Sequence, residues 1–186
     1  MKILIKNMVC DRCISAVQNI FENVGVNIES INLGEVETAT ELSEQNLSEI
    51  EIMLEKIGFE IIKDPSQQLI ESIKNLVILK IARLDTDENF LLSNFLSNAL
   101  HKEYSTLSKV FSQNENITLE QYHILQRIEK VKELLFNNDF TLTEIAVHMG
   151  YKSVQHLSSQ FKNSTGYTPT VFKKLKVLDR KSLDRL

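Results

Sequence analysis

Residues 141–164, TLTEIAVHMGYKSVQHLSSQFKNS, decide how the chain is read. Leu142, Ile145, Ala146 and Met149 recur at helical spacing, and Thr141 with Glu144 has the form of a capping box, which opens a helix. Gly150 stands where that helix must stop. Ser153 can cap a second helix, whose Val154, Leu157 and Phe161 fall at i, i+3 and i+7. The small Ala146 permits close helix approach. A short helix, a glycine turn and a second helix packed on the first make a helix-turn-helix pattern. Its outward residues are Lys152, Ser153, Gln155, His156, Ser158, Ser159 and Lys162. They can donate and accept hydrogen bonds, as base edges and phosphates require. A plain helical bundle with a polar surface has the same periodicity, so the pattern alone leaves both open.

Working outward, residues 91–113, LLSNFLSNALHKEYSTLSKVFSQ, repeat the plan. Phe95, Leu96, Ala99, Leu107 and Phe111 are expected inward; Lys102, Tyr104, Ser105, Thr106, Ser108 and Lys109 are expected outward. Between the two units, residues 118–136 place Leu119, Tyr122, Leu125, Ile128, Val131 and Leu135 on one stripe of a long helix. Helices are also expected over 66–83, 89–100, 104–113 and 168–176, the last opened by Thr168-Pro169.

The segments LSKVF, LQRIEKVKELL, LTEIAVHMGY, HLSSQFKNSTGYTP and VFKK occur in this order between residues 107 and 174. On them, residues 89–175 resemble the DNA-binding domain of AraC/XylS-type transcription regulators. The resemblance implies two helix-turn-helix units, about 89–113 and 141–164, joined by the helix at 118–136. It also implies that residues 104–113 and 153–164 are recognition helices entering the major groove of double-stranded DNA. RNA polymerase is a further partner of such a regulator. Two departures stand out. His101 occupies the first turn where the family often has Gly. Residues 65–139 carry eight basic against ten acidic side chains, so affinity is expected to lean on the second unit.

Ahead of Asp64-Pro65 the patterns alternate. Strands are expected at 2–6, 27–33, 35–40 and 59–63. Helices are expected at about 11–23, with Ile14, Val17, Phe21 and Val24 inward, and 46–57, with Leu47, Ile50, Met53, Leu54 and Ile57 inward. This βαββαβ order is the ferredoxin-like arrangement. The fold class expected is therefore α+β over 1–64, followed by an all-α domain over 65–186.

Both cysteines lie in NMVCDRC, residues 7–13, where strand one gives way to helix one. A metal site, a redox pair and a coincidence are all open. Two sulfurs at a helix N-terminus can converge on one ion, and the helix dipole favours their thiolate form. Thiolates select thiophilic ions such as Cu(I) or Zn(II). Zinc usually takes four ligands, and no third Cys or nearby His is on offer, so Cu(I) is favoured. NMVCDRC, ENVGV and LEKIGFEI resemble the heavy-metal-associated domain of copper chaperones and metal-pumping ATPases. The resemblance implies Cys10 and Cys13 as metal ligands, Met8 as a packing residue under the loop and a metal donor protein as a partner. Phe59 matches the position beside the site, and Asn7 replaces the usual Gly.

Bulk properties bound the remaining choices. Among 186 residues, 42% are hydrophobic and 25% charged, which suits a globular protein. No apolar run is long enough for a membrane span and the N-terminus does not read as a secretory signal, so a cytoplasmic protein is expected. Residues 1–64 hold five basic and twelve acidic side chains, whereas residues 140–186 hold eight and three. The acidic and basic ends are suited to different work. No nucleophile–base pairing or phosphate-cradling loop is present, so no enzyme is expected. The leading expectation is a metal-responsive DNA-binding regulator, as monomer or homodimer. A metallochaperone or metal buffer with a helical protein-binding part is the alternative, as is a regulator whose N-terminal domain does not bind metal.

Overall fold

The computed structural model describes residues 1–175. The final residue of the expected helix 168–176, and the rest of the expected domain to 186, lie outside the described residues. The chain divides into two compact units, Met1–Asn75 and Leu76 onward.

The first unit runs β1 (Lys2–Lys6), α1 (Asp11–Asn23), β2 (Ile28–Asn32), β3 (Glu35–Thr38), α2 (Glu44–Glu55) and β4 (Glu60–Ile61). Its four strands form one sheet in the order β2-β3-β1-β4, with every neighbouring pair antiparallel. Alternation along β1 sends Ile3 and Ile5 into a core with Met8, Val17, Ile20, Phe21, Val36, Ile50, Leu54 and Ile61. Strand β4 is shorter than the expected 59–63. The Ile62 amide still donates to the Leu4 carbonyl at 2.8 Å, so pairing outlasts the regular strand by one bond. Ile57, expected inward, is exposed because α2 stops at Glu55 and the chain turns away before it.

Helix α3 (Pro65–Ala82) carries the chain past the division. The second unit continues with α4 (Leu92–Leu100), α5 (Tyr104–Glu115), α6 (Leu119–Asn137), α7 (Leu142–His148), α8 (Val154–Thr165) and α9 (Pro169–Leu175). Helix α6 buries Leu119, Tyr122, Ile128, Val131, Leu134 and Leu135, together with Gln126, Glu129 and Lys132. Burial on several sides fits its packing against α5, α7, α8 and α9 at once. The two buried charges pair, Lys132 Nζ donating to Glu129 Oε1 at 2.7 Å, as ions away from water must. Ala99, expected inward, is exposed; at that end of α4 the buried contact is made by Leu96 alone.

Candidate nucleic-acid interface and cysteine pair

In the second helix-turn-helix the start signals read from sequence are made. Thr141 and Glu144 cap reciprocally, at 3.3 and 2.7 Å, and Ser153 Oγ accepts from the His156 amide at 3.1 Å. Ile145, Ala146, Met149, Leu157 and Phe161 are buried. That burial fixes which face of α8 is wet. Lys152, Ser153, Gln155, His156, Ser159 and Lys162 are exposed and Ser158 is half-buried.

In the first helix-turn-helix Leu96, Leu107 and Phe111 are buried, and Lys102, Ser105, Thr106 and Lys109 are exposed. Ser108 is half-buried. Tyr104 is half-buried too, and its hydroxyl donates to Glu120 Oε1 at 2.7 Å. Burial and that carboxylate push the phenol well above its ordinary value, and the same bond holds the Glu120 carboxyl below its own. Tyr104 therefore faces the surface as part of a pair.

The two units repeat at a spacing of fifty residues. Leu107 and Leu157, Phe111 and Phe161, and Tyr122 and Phe172 are buried counterparts. Phe111 meets Tyr122 at 5.2 Å between ring centroids, and Phe161 meets Phe172 at 5.4 Å. Thr118 and Thr168 each accept a hydrogen bond from an amide three residues on.

Arg127 and Tyr151 were not marked as site residues by sequence. From α6, the Arg127 guanidinium lies over the Tyr151 ring, 3.9 Å from its centroid, and donates to the Met149 carbonyl. The Tyr151 hydroxyl donates to Gln160 Oε1 at 2.7 Å, and its ring meets His156 edge-on at 5.4 Å. The long helix thus holds the turn directly and α8 through Tyr151. The turn is braced again from residues 84–88. Thr86 N–H donates to the His148 carbonyl at 3.3 Å, and His148 Nδ1 lies 3.0 Å from the Leu84 carbonyl. Only a residue without Cβ fits Gly150, where that atom would stand 2.7 Å from Thr86 Cγ2 and 2.8 Å from the Asp87 carbonyl. The fifty-residue spacing could have pointed to Glu120, which stands opposite the neutral Thr170; it sets His101 opposite Tyr151, and nothing local points to Tyr151 or Arg127.

A helix-turn-helix domain family matches residues 96–175. A crystal structure of a transcriptional regulator with an AraC-type DNA-binding domain, from Chromobacterium violaceum, superposes with a TM-score of 0.51 at 20% identity, covering 61% of this chain and 96% of that one. Residues 96–175 form a helix-turn-helix domain with the AraC-type fold. Two curated relatives are similar in sequence. The Msm operon regulatory protein of Streptococcus mutans serotype c is 28% identical over 81 residues, covering 44% of this chain and 29% of that protein. The HTH-type transcriptional activator RhaR of Mannheimia succiniciproducens is 22% identical over 156 residues, covering 71% of this chain and 56% of that protein. The chain thus spans little more than half of the longer match and under a third of the other. Within the AraC-type domain, α5 and α8 are the second helices of the two units.

The cysteines lie in the first unit. Cys10 is the N-cap of α1 and exposed; Cys13 is half-buried against the core. Their sulfurs stand 3.4 Å apart. Asn7 takes a left-handed backbone at φ 73°, a conformation that Asn tolerates better than most residues, and its side chain donates to the Gly58 carbonyl at 2.9 Å. Met8 is buried beneath the loop. Burial pushes the Cys13 thiol up from its ordinary value, against the lowering expected of a helix N-terminus. Among the described residues no group of three or more His, Cys, Asp or Glu converges to hold a metal. At 3.4 Å the two sulfurs stand closer than a two-coordinate bridge at roughly 2.3 Å per bond would need, about 3.8 Å when bent and about 4.6 Å when linear. Cys10 is the exposed member of the pair, so a bridging ion would require its side chain to turn outward. No helix among the described residues is long and apolar enough to cross a membrane.

Proposed function

We propose that the chain is a sequence-specific transcription regulator of the AraC family that binds double-stranded promoter DNA through α5 and α8. The observation that carries this is the repeated construction: two recognition helices, each with one face locked in a core, presented by the single helix α6. Backbone-phosphate contacts supply much of such affinity and base-edge contacts the discrimination. Lys152, Lys162, Lys173 and Lys174, all exposed, are on this reading the phosphate contacts, and the exposed Gln155, His156 and Ser159 the base-edge contacts.

The first unit fits a ferredoxin-like, heavy-metal-associated module in element order and strand order. On this reading Cys10 and Cys13 hold a thiophilic ion, Cu(I) ahead of Zn(II). Bound there, the ion would supply positive charge that offsets deprotonation of the half-buried Cys13 thiol. Asn7 fixes the approach of the loop, Met8 floors it and the α1 N-terminus favours negative sulfur. To act as a switch, the ion must bind one arrangement of the chain better than another.

Selection of duplexes from a random library by the full chain tests the first part, and titration of the selected duplex with and without Cu(I) and Zn(II), under reducing conditions, tests the second. The expected results are an enriched consensus, weaker binding by Lys162→Ala, and a Cu(I)-dependent affinity shift lost in Cys10→Ser. Failure to enrich any duplex removes the regulator reading in favour of a metal carrier. An enriched duplex indifferent to metal removes the sensing part alone.

A further inference from the structure

The two helix-turn-helix units share a core plan but not a surface. Counted over corresponding windows, residues 102–120 hold two lysines and three glutamates, whereas 152–170 hold two lysines and no carboxylate. Glu103 stands where Ser153 caps α8, and Glu103 makes no side-chain cap. Glu120 stands where Thr170 does, in the first turn of the helix that follows the recognition helix. The Tyr104–Glu120 hydrogen bond places the Glu120 carboxylate beside the first turn of α5. That turn brings a recognition helix to base edges, and the neighbouring helix N-terminus is where a phosphate would be met. Glu120 is exposed toward solvent, and the Tyr104 hydroxyl fixes its position while stabilising its charge.

Resting on the DNA-binding reading above, we infer that Glu120, held by Tyr104, is the residue that weakens the first helix-turn-helix against the DNA backbone, so that the chain reads an asymmetric site. A carboxylate within reach of a phosphate repels it, and the same carboxylate competes for the positive end of the α6 dipole that a phosphate would use. The second unit offers Thr170 there, a neutral hydroxyl. Base discrimination is therefore set mainly by α8, with α5 a weaker second head. The contact ranks the two half-sites although neither Tyr104 nor Glu120 need touch a base.

The test uses the full chain, duplexes selected from a random library, and a salt titration of binding to the selected duplex. Glu120→Gln keeps an acceptor for the Tyr104 hydroxyl and removes only the charge. It is expected to tighten binding by about three- to tenfold at low salt and to steepen the salt slope by about one phosphate contact. Thr170→Glu, the reverse change in the second unit, is expected to weaken binding by a similar factor. Duplexes reselected with Glu120→Gln are expected to gain sequence preference in the α5 half-site. If Glu120→Gln leaves affinity and slope unchanged while Lys162→Ala still weakens binding, the inference is wrong and the regulator reading stands. If the unmodified chain enriches no duplex, both fall. Circular dichroism melting of each variant separates a lost fold from a lost contact.

Discussion

His123 stands 5.9 Å from the Phe90 ring, centroid to centroid, on the same helix as Arg127 and one turn before it. Burial, then the Arg127 charge, holds its imidazole down to about 4. The folded state keeps His123 neutral where the unfolded chain, near 6.5, takes up a proton. Stability from this site is thus present above pH 6.5, falls as pH drops toward 4, and levels off below that. A loss of up to about 2 kcal/mol across the window is expected after allowance for solvent. Urea unfolding at pH 7 and pH 4.5 measures it, and His123→Leu should remove that part of the pH dependence whatever its effect on stability at pH 7. At this scale the sequence was readable where chemistry is local. Thr141, Ser153 and Thr168 cap as their types and positions imply. Ala99 and Ile57 misled, because periodicity names a stripe but not where its partner ends. Arg127, His123 and the buried Glu129–Lys132 pair were illegible for the same reason: each depends on what crosses α6 in space.

Two glycines separate backbone conformation from close approach. Gly150 and Gly166 both have positive φ, 67° and 82°, so a side chain is strained at either. A Cβ at Gly166 would meet nothing within 4 Å, whereas at Gly150 it would meet Thr86 and Asp87. Gly166→Ala is expected to cost about 1 kcal/mol, the conformational part alone. Gly150→Ala is expected to cost at least about 2 kcal/mol and to loosen the brace at residues 84–88. Chemical denaturation of both variants checks the difference; equal costs would mean that the brace adjusts freely. Element type and order were legible throughout the described residues, since both periods were strong and the caps clear. Element ends were less so. The brace was not legible at all, because residues 84–88 carry no regular pattern and find their place only against the completed turn.

Across the whole molecule, charge is sorted along the chain. The first 64 residues are strongly acidic and residues 140–186 basic, and within the AraC-type domain the second unit holds the uncompensated lysines. Binding should therefore respond unequally to equal substitutions. Lys152→Ala with Lys162→Ala is expected to reduce the salt slope by about two contacts, and Lys102→Ala with Lys109→Ala by less than about one. Fluorescence anisotropy at several salt concentrations reads both. Helix α6 has a consequence of a different kind. Because α5, α7, α8 and α9 all pack on it, both helix-turn-helix units, the two heads of the domain, lean on one helix. Of these partners α5 and α7 adjoin α6 in sequence, whereas α8 and α9 return to it from further along the chain, so near and distant segments meet on one helix. The heads should accordingly appear and melt together, as one foldon with α6 protected longest from amide exchange. A cut in α6 would loosen both helix pairs at once.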